Sequence, residues 1–222
     1  MKTLAVVAHK GGAGKSTLAI HLATLAFRQG LRVGIIDLDP QKTALKWNNR
    51  RAEEDRLAVI ACDADELQGY LDQARANALD FVVVDTPPHA NASAVTAAQL
   101  ADFTLVPTGT SVVQLETVAE TVYLLKQTRC RFAVVLNAVR RGVRLVEETR
   151  AVLTQHDVNL LPEVVHSWVS LDYALNDGSS VHEFDPVSGA AQEIEALYNS
   201  ITSLMSDTVT SPKPKKPKKV AA

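Results

Sequence analysis

The sequence predicts an α/β domain, a mostly parallel twisted sheet with helices on both faces. Three observations carry that expectation. Short continuous apolar runs alternate with segments of helical period, the pattern of buried parallel strands joined by helical crossovers. A glycine-rich turn within residues 9–17 separates the first run from the first helical segment. The runs 32–37 and 81–85 both end on aspartate. Right-handed crossovers place the loops after such strands along one edge, where open α/β sheets bind ligands.

Each element follows in order. TLAVVA (3–8) is the first strand; Leu18, Leu22 and Leu25 then recur at helical spacing until Gly30 stops the helix. RVGIID (32–37) is the second strand, followed by a polar helix carrying Trp47, a residue suited to core packing. LAVIA (57–61) leads to a helix over about 64–77, and FVVVD (81–85) is the most hydrophobic strand. Helix 91–101 leads to FTLVP (103–107), helix 112–127 to RFAVVLN (131–137), and helix 143–155 comes next. A short run around 163–166, a helix near 170–177 and a last helix over about 187–205 complete the body.

The chain has 222 residues, 46% of them apolar and 22% charged, values that suit one large soluble domain and exclude wholesale disorder and collagen-like chains. No run approaches the ~18 uninterrupted apolar residues of a membrane span, and the opening MKTLAVVAHKGG is too short for a secretory signal. A cytoplasmic location is expected. Cys62 and Cys130 form no metal-ligand cluster and read as small buried hydrophobes. The net charge of −2 hides an asymmetry: SPKPKKPKKVAA (211–222) carries five lysines and no acid, so the remaining body is acidic. The expected organisation is a domain over 1–205 and a disordered basic tail over 206–222. The tail's prolines forbid a helix, and its lysines suit a polyanion.

HKGGAGKST (9–17) carries the chemistry. Gly12 to Ser16 fits the end of the Walker A pattern G-x-x-x-x-G-K-[ST], although His9 stands where that pattern has its first glycine. Gly11, Gly12 and Gly14 let backbone N–H groups turn around phosphate oxygens at the positive end of the following helix. Lys15 then reaches the β/γ-phosphates and the Ser16 hydroxyl binds Mg²⁺; Ala13 and Thr17 complete the candidate cradle. IIDLDPQ (35–41) brings Asp37 and Asp39 to the same edge, two residues apart and pointing to one side. Carboxylates near a triphosphate serve Mg²⁺ waters and an attacking water; a helix N-cap is the alternative for Asp37. Asp85 ends FVVVDTPP (81–88), where an acid fits a water-mediated Mg²⁺ contact.

KGGAGKST resembles the deviant Walker A motif of the ParA/MinD family of P-loop ATPases. The resemblance covers residues 1–205 and is closest to the small plasmid-type ParA proteins. It implies that Lys10 crosses to the partner's nucleotide in an ATP-sandwich homodimer, that Asp39 orients the attacking water, and that Asp37 lies in the metal's outer shell. It further implies that Thr86, Pro87 and Pro88 form a switch segment and that Asn137 reads the adenine edge. DPQ followed by Trp47 is similar to a plasmid-type stretch, with Thr43 where that stretch has serine. Pro107 matches a turn before a helix suited to pairing subunits, and Asp185-Pro186 matches a turn near the adenine.

The implied function is a Mg²⁺-dependent ATPase of the ParA type. It dimerises with ATP, binds DNA non-specifically, associates with the nucleoid, and segregates a plasmid, chromosome or other cargo under a ParB-like or cargo-adaptor activator. No N-terminal helix-turn-helix is expected, because the phosphate loop starts at residue 9, so DNA contact falls to Arg140, Arg141 and Arg144, the densest internal basic cluster. A MinD-like membrane ATPase is the alternative, but the proline-lysine C-terminus has no apolar face to insert. A metabolic P-loop ligase is the third reading; it needs neither Lys10 nor the DLDPQ stretch.

Overall fold

The computed structural model describes residues 1–88, 91–142, 145–156 and 158–206. In chain order the elements are β1 (Lys2–Val6), α1 (Lys15–Arg28), β2 (Val33–Asp37), α2 (Thr43–Asn48), β3 (Ala58–Ala61), α3 (Leu67–Ala76), β4 (Phe81–Asp85) and α4 (Asn91–Leu100). They continue with β5 (Phe103–Thr108), α5 (Val112–Thr128), β6 (Phe132–Val139), α6 (Leu145–Gln155), β7 (Leu160–His166), α7 (Val169–Asn176), α8 (Val181–Phe184) and α9 (Gly189–Ser206). The sheet has seven strands in the order β3-β2-β4-β1-β5-β6-β7, and every described pairing is parallel.

Alternate residues of each strand go to opposite faces. Leu4 and Val6 of β1, Val33 and Ile35 of β2 and Val83 of β4 pack with α1, α2, α7, α8 and α9. Ala5, Ile36, Val82 and Val84 face α3 and α4, and Val134, Leu136 and Val139 face α5 and α6. Both faces are therefore covered, which explains why the strands read as unbroken apolar runs.

Five expectations are adjusted. The run around 163–166 is a full strand from Leu160. The helix expected from residue 64 starts at Leu67, because Asp63, Asp65 and Glu66 occupy the turn before it. Strand β6 runs past Asn137 to Val139, so that asparagine lies inside the ladder. The short α8 was not expected; its Ser180-Val-His-Glu183 start has the capping-box spacing, with the Glu183 carboxylate accepting the Ser180 N–H at 2.7 Å. Cys62 and Cys130 are half-buried free thiols, not fully buried hydrophobes. Burial, with Glu66 and neighbouring acids, pushes the Cys62 thiol up to about 11. Trp47 is fully buried, with its indole N–H on the Ser179 carbonyl at 2.9 Å.

Candidate functional site

Parallel register brings the site together. Asp85 is the Cα partner of both Val6 and Asp37, so β1, β4 and β2 end side by side. The loop after β1 then turns into α1. Gly12 and Gly14 have φ of 75° and 82°, values that L side chains rarely adopt. Helix α1 begins at Lys15 with no side-chain cap on its first N–H groups, which leaves the backbone donors of the turn available to an anion.

Lys15 is buried, and its ammonium makes one long contact, 3.5 Å to the Lys10 carbonyl. Burial pulls its pKa down, while the charges of Asp85 and Asp39 oppose that shift. Asp85 is fully buried, and neither of its oxygens has a hydrogen-bond partner of normal geometry. Burial pushes it up to about 7, against a lowering influence of the neighbouring Ser16 hydroxyl and of Lys15. A buried carboxylate with no backbone donor, beside a hydroxyl and an under-coordinated ammonium, fits a site that receives a hydrated divalent cation and phosphate.

Asp37 has a different environment. Its Oδ1 accepts the Asp39 N–H at 3.0 Å, and its Oδ2 accepts the N–H of Ala44 at 2.9 Å and of Leu45 at 3.3 Å. It therefore anchors the first turn of α2 across a tight loop, while Lys42 stands at φ 54°. Burial raises its pKa and these bonds oppose the rise. Asp37 thus accepts the first N–H groups of α2 from the end of β2, while the N-cap position itself is Lys42 with no side-chain cap; one acceptor site of the carboxylate is left for the metal's waters. Asp39 is partly exposed, with Oδ1 on the Gln41 N–H at 2.8 Å. Thr86 is buried, its hydroxyl donating to the Val6 carbonyl at 2.9 Å. His9 lies 3.9 Å from Glu120 of α5, and His89 is outside the described residues.

Asn137 lies within β6 and not at its end. It is buried, and its amide donates to the Ala13 carbonyl at 2.8 Å. In this structure it engages the phosphate loop from within β6, which continues beyond it.

The basic cluster is only partly brought together. Arg140 is exposed. Arg141 lies over the Trp168 ring at 3.7 Å from its centroid, with Nη2 3.9 Å from Glu193. Arg144 is outside the described residues. Sequence reasoning missed the hub that holds Arg141: Glu193 of α9 accepts from the Trp168 indole at 2.7 Å and the His166 N–H at 2.8 Å. It also missed the pair Arg51–Glu183, at 2.7 Å and shielded from water. Neither pair is marked by sequence spacing; each joins residues that only the fold brings together.

The nucleotide-binding domain family described as CobQ/CobB/MinD/ParA matches residues 4–181. The chain is 28% identical over 209 residues to the maintenance of carboxysome distribution protein A of Halothiobacillus neapolitanus, covering 90% of this chain and 95% of that one. It is 26% identical over 237 residues to the chromosome-partitioning ATPase Soj of Thermus thermophilus, covering 90% and 95%. Among solved structures, apo McdA of Cyanothece superposes with a TM-score of 0.74 at 17% identity, covering 90% of this chain and 99% of that one. The septum site-determining protein MinD of Pyrococcus horikoshii, complexed with Mg-ADP, gives 0.72 at 19% identity, covering 92% and 97%.

Proposed function

The chain belongs to the CobQ/CobB/MinD/ParA nucleotide-binding family, and from that premise we propose that it is a Mg²⁺-dependent ATPase of the ParA type. It closes face to face with a second copy over two ATP molecules, binds DNA without sequence preference, associates with the nucleoid, and positions a cargo by cycles of hydrolysis. The observation that supports this reading is the convergence at one sheet edge of the left-handed glycine turn, the buried Lys15 and the buried Asp85 beside the Ser16 hydroxyl.

In this reading Gly11, Gly12, Ala13, Gly14, Lys15, Ser16 and Thr17 hold the phosphates. Ser16 and Asp85 would hold the Mg²⁺, with Asp37 in its outer shell. Bound Mg²⁺ supplies charge neutralisation on the β- and γ-phosphates. Lys15 balances the same charge from the protein side. Asp39, the most exposed of the three carboxylates, accepts a hydrogen bond from the water that attacks the γ-phosphorus; the bond to the ADP oxygen breaks and inorganic phosphate leaves. Lys10 reaches the partner's nucleotide and adds a cation there.

The relatives' names point to two cargo classes, a carboxysome and a chromosome, and an activator of the ParB or cargo-adaptor kind suits either. Among the described residues no helix is long and apolar enough to cross a membrane.

The test is phosphate release and DNA pelleting by the full chain with Mg-ATP, Mg-ADP and no nucleotide. Phosphate release together with ATP-dependent pelleting is expected. Release without DNA pelleting overturns the partition reading, and no release even with DNA present overturns the ATPase reading.

A further inference from the structure

We propose that Arg51 is a positioning residue for ATP hydrolysis: locked onto Glu183, it fixes the far end of α2 and thereby the loop that presents Asp39. The proposal rests on the reading that Asp39 orients the attacking water.

Helix α2 cannot hold that loop by itself. It has six residues, Thr43–Asn48, and its N-cap, Lys42, stands at φ 54° with no side-chain cap. A helix of under two turns has little stability of its own, so its placement comes from what grips its ends. At the near end Asp37 accepts the N–H groups of Asp39, Ala44 and Leu45. Residues 38–42 form a short arch from β2 to α2, and Asp39 stands in it with Oδ1 on the Gln41 N–H. A shift of α2 moves that arch.

The far end is gripped by the turn between α7 and α8. Arg51, just past α2, donates from Nη2 to Glu183 Oε1 at 2.7 Å and from Nη1 to Oε2 at 3.0 Å. Its Nη1 also donates to the Gly178 carbonyl at 2.7 Å, and its Nε to the Asp55 carbonyl at 2.8 Å. The side chain is 3% exposed and lies 4.8 Å from the Trp47 ring centroid. Arg50 adds a bond to the Leu175 carbonyl at 3.0 Å, beside that of Trp47 to Ser179. Gly178 closes the fit: it has φ 74°, and a Cβ there would stand 2.9 Å from the Arg50 carbonyl carbon. Burial acts to raise the Glu183 pKa, but the bonds from Arg51 and the Ser180 N–H outweigh it and hold the carboxyl below its ordinary value, so the pair is ionised.

The same turn is tied to α1. The Val181 N–H donates to His21 Nδ1 at 3.2 Å in a buried setting, and α1 begins at Lys15. The lock therefore refers α2 to the helix that opens at the phosphate loop. A buried ion pair adds little net stability over apolar residues of similar volume. What a two-pronged guanidinium–carboxylate contact supplies is direction, and direction is what a water-orienting carboxylate requires.

The experiment measures kcat, KM and equilibrium ATP affinity of the full chain with Mg-ATP and DNA. Wild type is compared with Arg51→Lys and with Arg51→Met joined to Glu183→Gln, which removes both charges and keeps an acceptor for the Ser180 N–H. Thermal melts establish that each is folded at the assay temperature. The paired variant is expected to lose about 10-fold or more in kcat, with ATP affinity within about 2-fold of wild type because the phosphate loop is untouched. Arg51→Lys keeps the charge without the fork and is expected to fall between the two; it carries the comparison if the paired variant does not fold. Each substitution is then repeated in an Asp39→Ala background. There it is expected to change the residual rate by less than about 2-fold, since a residue acting through Asp39 has nothing left to position.

Wild-type kcat in the folded variants overturns the proposal. So does a loss of ATP affinity as large as the loss of kcat, or the full further loss in the Asp39→Ala background, which would make the lock a general support. Wild-type hydrolysis by Asp39→Ala alone overturns the reading of Asp39 on which the proposal rests. A wild-type chain that releases no phosphate overturns the ATPase reading and this proposal with it.

Discussion

Asp37 and Asp85 are Cα partners across β2 and β4, yet their carboxylates live in opposite environments. Asp37 accepts three backbone N–H groups. Asp85, on the neighbouring strand and equally buried, has none. One acid builds the edge and the other is held ready at it, and their substitutions should therefore have opposite effects on stability.

Asp37→Ala removes the anchor of α2 and leaves buried donors without acceptors. A loss of about 2–3 kcal/mol of unfolding free energy is expected, read from urea denaturation. A loss below about 0.5 kcal/mol, the range of an ordinary surface substitution, would mean that α2 is held without it.

Asp85→Asn should stabilise the protein while weakening Mg²⁺-dependent ATP binding. The folded pKa, about 7, lies above the ordinary 3.8. The ionised carboxylate therefore costs stability that grows as pH rises from about 4 to about 7. The variant escapes that cost, offset in part by an amide that also lacks partners. A gain on the order of 2 kcal/mol is expected at pH 8, shrinking toward pH 4. Melting temperatures across that range check it; a variant less stable than wild type at pH 8 contradicts it.

His21 gives the opposite slope. It is fully buried, its Nδ1 accepts the Val181 N–H at 3.2 Å, and burial, with His182 nearby, lowers it to about 4. The unfolded chain binds a proton first, so stability present above about pH 6.5 is lost as pH falls toward 4, by roughly 3 kcal/mol. His21→Gln should flatten that slope. An unchanged slope would place the acid sensitivity elsewhere.

Lys10→Ala should retain ATP but lose ATP-driven dimerisation, and Asp39→Ala should retain ATP and the dimer while hydrolysis slows about 10²-fold or more. Light scattering and phosphate release separate the two. An ATP-dependent dimer of Lys10→Ala counts against a crossing lysine.

DNA affinity should divide between body and tail. Arg140→Ala with Arg141→Ala is expected to reduce the ATP-dependent component and to flatten the salt slope by about 0.9 for each DNA phosphate no longer neutralised. Trp168→Leu, which removes the surface under the Arg141 guanidinium, should weaken binding in the same direction. Deleting 211–222 should weaken it with and without ATP alike. If that deletion alone erases the difference between ATP and ADP, the body patch is not the switch.

The layer order, the edge that carries the site and the glycine turn were legible because each has a local signature: apolar runs, terminal acids and GKST. Asp37 was ambiguous because a strand-end aspartate serves a cap and a metal equally well, and only its neighbours' N–H directions decide. Asn137 was misplaced because polarity suggests that the strand stops there, whereas β6 continues through a left-handed Ala138 that no propensity announces. The start of α8 was readable from Ser180 and Glu183. The Glu193 hub was not, since its partners lie on β7, the loop after it and the loop after β6.

The last helix has a consequence for reach. The Lys2 ammonium donates to the Met205 carbonyl at 2.8 Å, and Arg131 donates to Leu204. Both lie where strands begin, so α9 ends at the pole of the sheet opposite the phosphate loop. Whatever follows Ser206 starts from that far pole. In the dimer proposed above, closed at the phosphate edges, the two departure points would face away from the nucleotides. A group tethered there would be poorly placed to sense which nucleotide lies between the subunits.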